Sequence, residues 1–102
     1  MKLIQKLAEQ IDEELNDAMH YAKWALEVKQ DYPALAKSLY GISLQETDHA
    51  KILHDSVTEI IREYREEHGD PPASMMAVYD YLHEKQIDKS AEVKNLQALF
   101  KE

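Results

Sequence analysis

The sequence has no cysteine, only two glycines and three prolines, and no long apolar run. Without cysteine there is no disulfide framework, no thiolate zinc site, no iron–sulfur cluster and no cysteine nucleophile. No segment approaches the ~18 consecutive apolar residues of a membrane span. The opening "MKLIQKLAEQ" meets acidic residues before an apolar stretch of signal-peptide length develops. A soluble, cytoplasmic protein with no membrane partner is therefore expected. Basic residues are also scarce, 12 against 20 acidic ones, for a formal charge of −8. That balance argues against a nucleic-acid partner, whose phosphates need lysine and arginine, and favours attraction of cations.

What is abundant is helix-forming: alanine, leucine, glutamate and lysine, with 31% of residues charged. The 102 residues allow a single small domain, residues 1–102. Two breaks divide it. In "QDYPAL" Pro33 pushes Tyr32 out of helical geometry, and in "HGDPPAS" Gly69 is placed to end one helix and Asp70 and Pro71 to begin another. Asp88 or Ser90 in "QIDKSAE" suits the cap of a last short helix. The pattern predicts an all-α fold with helices near residues 2–30, 35–67, 73–86 and 90–101. The first two form a long antiparallel hairpin (1–68), and the two short ones an appendage (69–102) that covers an edge or engages a neighbour.

The hairpin's apolar stripes carry the chemical signal. The first runs Ile4, Leu7, Ile11, position 14, Ala18, Tyr21, Ala25 and Val28, and position 14 is Glu14. The second runs Leu35, Leu39, Ile42, Glu46, His49, Leu53, Val57 and Ile60. Three ionisable side chains thus interrupt two facing seams. Counted from the loop at ~1.5 Å per residue, Glu14 falls within roughly 8 Å of the levels of Glu46 and His49. Two buried carboxylates without compensation would cost several kcal/mol each. A proton, a buried cationic side chain or a metal ion can compensate them. Lys23, Lys29, Lys37, Lys51, Arg62 and Arg65 mostly fall off the seam, so a metal is the best answer, and two carboxylates with one imidazole suit iron or manganese.

Glu14, with Tyr21 seven residues on and the pair Glu46-x-x-His49 about thirty residues later, resembles the first half of a ferritin-like di-iron carboxylate site. The stretch "EELNDAMHYAKWALEVKQDYPALAKSLYGISLQETDHAKIL" is similar to the opening helix pair of rubrerythrins and ferritins. The resemblance covers residues 10–55 and hardly touches 70–102. It implies Glu14, Glu46 and His49 as metal ligands and catalytic residues, with Glu14 and His49 each binding mainly one iron and Glu46 bridging two. It implies Tyr21 as a supporting hydrogen-bond partner of a ligand carboxylate. A complete site takes four carboxylates and two histidines, and this chain supplies half. The half-length, encapsulated-ferritin type offers the solution: a homodimer, or a higher homo-oligomer, whose bundle and di-iron centre are completed across a twofold axis. The tail "NLQALFKE" contains no recognisable encapsulin-targeting motif.

The implied activity is oxidation of Fe(II) by dioxygen or peroxide. The competing reading is a non-catalytic bundle that binds zinc or another divalent ion and is stabilised by it as an oligomer. A third is a scaffold whose polar layer fixes register without metal. Glu13, Asp17 and His20 suit an outer cation path but are read first as solvated. His54, five residues from His49, is placed at the surface, and His68 in a helix's last turn. His83 carries no interpretable pattern. Met19, Met75, Met76 and Trp24 are assigned to packing.

Overall fold

The computed structural model describes residues 2–102. Three helices account for nearly all of them: α1 (Lys2–Val28), α2 (Pro33–His68) and α3 (Ala73–Lys101), with no strand among the described residues. Each boundary has a local cause. Tyr32, at φ −134° and ψ 68°, leaves helical geometry ahead of Pro33, which occupies the first turn of α2. The Tyr32 N–H still closes on the Val28 carbonyl at 2.8 Å, which keeps the connection tight. At the other end Gly69 adopts φ 79°, a left-handed conformation that a side chain would resist, and donates to the Arg65 carbonyl at 3.0 Å. Pro72 then accepts from the Met75 and Met76 N–H groups and starts α3. No helix is long and apolar enough to cross a membrane.

The two short C-terminal helices of the sequence reading are one. Asp88 and Ser90 do not cap anything; they lie within an uninterrupted α3. No glycine or proline occurs between Ala73 and Lys101 to break the backbone. The expected break is also where the helix is fastened: Gln86 Nε2 donates to the Ala8 carbonyl at 3.0 Å, and Lys89 Nζ meets Asp12 Oδ1 at 2.7 Å.

α1 and α2 pair antiparallel around Ile4, Ile11, Leu15, Ala50, Val57 and Ile61, with Leu7, Leu53, Ile60 and Tyr79 packed against that cluster. Burying a Leu, Ile or Val side chain contributes roughly 1.5–3 kcal/mol, so this half of the hairpin is its apolar anchor. Towards the loop the seam changes character: Ala18, Ala22, Ala25 and Ala36 are fully buried. There Ser43, also fully buried, donates its hydroxyl to the Ala18 carbonyl at 2.7 Å. α3 runs beside α1, antiparallel to α2, and docks by polar contacts. Its buried residues are Gln86, Val93 and Gln97. Gln97 Nε2 donates to Ser43 Oγ at 3.0 Å. At the far end Phe100 stacks on Tyr40 at 4.5 Å, and Lys29 donates to the Phe100 carbonyl. The result is a rod of 56 × 19 × 18 Å, with a radius of gyration of 16.4 Å; a compact domain of this length has about 13 Å.

Docking of α3 rotates the buried arc. α1 buries Ile4, Ala8, Ile11, Leu15, Ala18, Ala22 and Ala25, whereas Leu7, Glu14, Tyr21 and Val28 are half-buried on its flank. α2 does the same: Ala36, Leu39, Ser43, Ala50, Val57 and Ile61 are buried. Ile42, Glu46, Leu53 and Ile60 are half-buried, while Leu35 and His49 are exposed. The stripes read from the sequence thus straddle the seams: Ile4, Ile11, Ala18, Ala25, Leu39 and Val57 lie in the buried arc, while Glu14, Glu46 and His49 lie at its edge. α3 touches α1 through Ala8 and Asp12, and Glu14 lies two residues from Asp12, about 160° around the helix. The hairpin therefore keeps an open face, opposite α3, and Glu14 and Glu46 lie on it.

Candidate metal centre

Glu14 comes from the middle of α1 and Glu46 and His49 from the middle of α2, and the antiparallel pairing brings them to one level. His49 Nδ1 lies 3.5 Å from Glu14 Oε2 and 4.0 Å from Glu46 Oε2. One ligand atom from each of the three fits within 4.8 Å of the others. The carboxylates are well covered, at 16% and 19% side-chain exposure, whereas His49 is 55% exposed. The cluster is thus a shallow site with two covered oxygens, one accessible nitrogen and an outward opening. Half-buried Leu7, Ile42, Leu53 and Ile60 share its face.

The electrostatics show what the pair lacks. Glu46 is pushed up to about 7, first by its hydrogen bond with Glu14, then by burial and by the Glu14 charge. The His49 charge offsets part of this, and Asp17 adds a little to it. Glu14 is held below the ordinary carboxylate range, chiefly because Glu46 donates to it, helped by Gln10 and His49 and opposed by burial. Gln10 Nε2 reaches Glu14 Oε1 at 3.1 Å from one turn earlier. Two covered carboxylates therefore share one proton, because like charges this close do not ionise together without help. Among the described residues no lysine or arginine forms an ion pair with either of them. A divalent cation does what the shared proton does, with more charge. Two oxygens and one imidazole nitrogen suit iron, manganese or zinc.

Tyr21 lies on the same flank two turns beyond Glu14, stacked on Trp24 with ring centres 6.4 Å apart and edge-on to His20 at 5.7 Å. Among the described residues its hydroxyl makes no hydrogen bond, so the contact with a ligand carboxylate is not made within one chain. Glu13, Asp17 and His20 are exposed, as a solvated face requires. Trp24, assigned to packing, keeps 40% of its surface in solvent. Met19, Met75 and Met76 are half-buried. His68 closes α2 with its ring 5.0 Å from that of Tyr64.

His54 departs from the reading of a surface residue. It points away from His49, but into the junction with α3, where it is half-buried against His83. No pattern in α3 announces His83 as its partner, because that helix has no apolar periodicity from which a face can be read. Gln10 was missed for a different reason. Its spacing of four residues from Glu14 is the ordinary helical neighbour relation, and it reads as a support only once Glu14 is known to be covered.

Compared with family models, curated proteins and solved structures, the chain shows no match.

Proposed function

We propose that this chain is a cytoplasmic iron-binding protein of ferritin-like type, which oxidises Fe(II) with dioxygen or peroxide at a di-iron site shared between two copies. The observation that carries the reading is the convergence of Glu14, Glu46 and His49 within 4.8 Å on the open face of the hairpin. Three donors are half of what a two-metal carboxylate centre takes, and they lie where a second hairpin would bring the other half. Pairing two such faces also covers Leu7, Ile42, Leu53 and Ile60 and completes a four-helix bundle from two hairpins.

The chain's own residues do the following in this scheme. Gln10 holds Glu14 in place. Glu46, which holds the shared proton, would lose it on binding a cation and serve as a carboxylate ligand beside Glu14. His49, the most accessible of the three, is the first donor that an arriving ion meets. Tyr21, whose hydroxyl makes no hydrogen bond among the described residues, supports a carboxylate of the assembled site. When bound, iron supplies the one-electron chemistry, passing between Fe(II) and Fe(III) as the oxidant is reduced.

The donor set favours a second reading as well, since two carboxylates and an imidazole hold zinc equally well. In that case the ion fastens the oligomer and no turnover occurs. An anaerobic Fe(II) titration of metal-free protein, with solution mass and then oxygen uptake, separates the two. One iron per chain, a chain at least dimeric and oxygen consumption support the ferroxidase. Metal-dependent assembly without oxygen uptake supports the fastening role. Absence of metal binding sinks both.

A further inference from the structure

A second group of metal-ligating side chains lies at the α2–α3 junction. The rings of His54 on α2 and His83 on α3 are 4.9 Å apart between centres, with planes inclined by 19°. Tyr79, one turn before His83, lies alongside at 5.7 Å and 8°. His83 Nδ1 is buried and has no hydrogen-bond partner among the described residues. Leaving such a nitrogen unpaired is unfavourable, and native structures usually give it a donor, a water or an ion. Asp55 Oδ1 lies 3.6 Å from His54 Nδ1, beyond hydrogen-bond distance, so it does not tie up that nitrogen.

We propose that His54 and His83 form a second metal site, for a nitrogen-preferring divalent ion of the zinc, nickel or copper class, and that the ion clamps α3 to α2. The two rings have the spacing of imidazoles on one tetrahedral ion, about 5 Å between centres for metal–nitrogen bonds of about 2.0–2.1 Å. They are stacked, so the half-exposed His54 ring has to turn for both lone pairs to meet at the ion. The site is distinct from the Glu14 cluster, because His54 is five residues beyond His49 and about 140° around the helix. Its donors also differ in kind: two imidazoles with no carboxylate in the pair select softer ions than a carboxylate pair does. α3 is the helix that gains from such a clamp, since Val93 is its only buried apolar side chain.

The test uses the full chain carrying Glu46→Gln and His49→Ala, which silences the first site. Ni(II) and Zn(II) chloride are titrated calorimetrically, and unfolding is followed with and without metal. One ion per chain is expected, with a roughly hundredfold shift of the folding equilibrium at about a hundredfold excess of metal over Kd. Adding His54→Gln or His83→Gln is expected to weaken binding at least tenfold. No binding in the double variant, or binding that survives both added substitutions, overturns the proposal. Should an added substitution unfold the chain, Ni(II)-induced broadening of imidazole resonances in the double variant decides. Broadening confined to His54 and His83 supports the site, and broadening elsewhere refutes it.

Discussion

Replacing Glu46 by glutamine tests the shared proton directly. In the unfolded chain Glu46 loses its proton near 4.5; in the fold it does so at about 7. Between those values the folded state binds the proton more tightly than the unfolded one. The stability this gives is fully present below 4.5 and is lost as pH rises through about 7. Taken whole, the difference corresponds to about 3 kcal/mol, a large share of the stability of a small domain. The lowered Glu14 acts in the opposite sense, but its contribution is lost only as pH falls below the ordinary carboxylate range, outside this window. A glutamine at position 46 keeps a permanent N–H donor toward Glu14 and has no proton to lose. Metal-free Glu46→Gln protein is therefore expected to match the parent near pH 4.5 and to exceed it by up to about 3 kcal/mol at pH 8. The assay is urea unfolding after chelator treatment, at one fixed chain concentration. Taking the difference between parent and variant cancels the titration of groups common to both. If the two lose stability in parallel between pH 5 and 8, the carboxylates do not share a proton and the electrostatic case for a cation there collapses.

The same proton makes metal binding pH-linked. Below about pH 7, each ion that displaces the Glu46 proton should release it, raising log affinity by up to one per pH unit from this group; calorimetry in buffers of different ionisation enthalpy counts the protons. His49→Ala should weaken Fe(II) binding by tenfold or more while leaving helicity unchanged by circular dichroism, since the side chain is 55% exposed and lies outside the apolar core cluster. Ser43→Ala should destabilise the fold by about 1–3 kcal/mol in urea unfolding. That change removes the donor to the Ala18 carbonyl and leaves the buried Gln97 amide without its acceptor. Leu53→Glu, on the open face, should halve the solution mass by light scattering without unfolding the chain, because Leu53 only flanks the core cluster.

The hairpin and the site were legible for one physical reason: a carboxylate in an apolar row is costly, and the row makes it conspicuous. Glu14 stands out between Ile11 and Ala18, and Glu46 and His49 between Ile42 and Leu53. The centre of the row around each helix was legible only in part: Ile4, Ile11, Ala18, Leu39 and Val57 are buried as read, but Leu7 and Ala8, or Tyr21 and Ala22, are interchangeable until the third helix chooses a side. α3 chose the Ala8 side. The third helix hid itself. The residues it buries, Gln86, Val93 and Gln97, keep helical spacing, but two of the three are amides, and apolar periodicity is blind to them. Asp88 and Ser90 then imitate a cap in a helix whose own burial pattern gives no counter-argument. The difference between the two cases is how each polar group is satisfied. A glutamine that bonds a backbone carbonyl is content inside a single chain and leaves no trace in the pattern. Glu14 has Gln10 and His49 beside it, but Glu46 is held off ionisation by the proton it shares with Glu14. That residual need is why their signal stands out from the apolar row, on the face that α3 leaves open, and why we propose a cation and a second hairpin there.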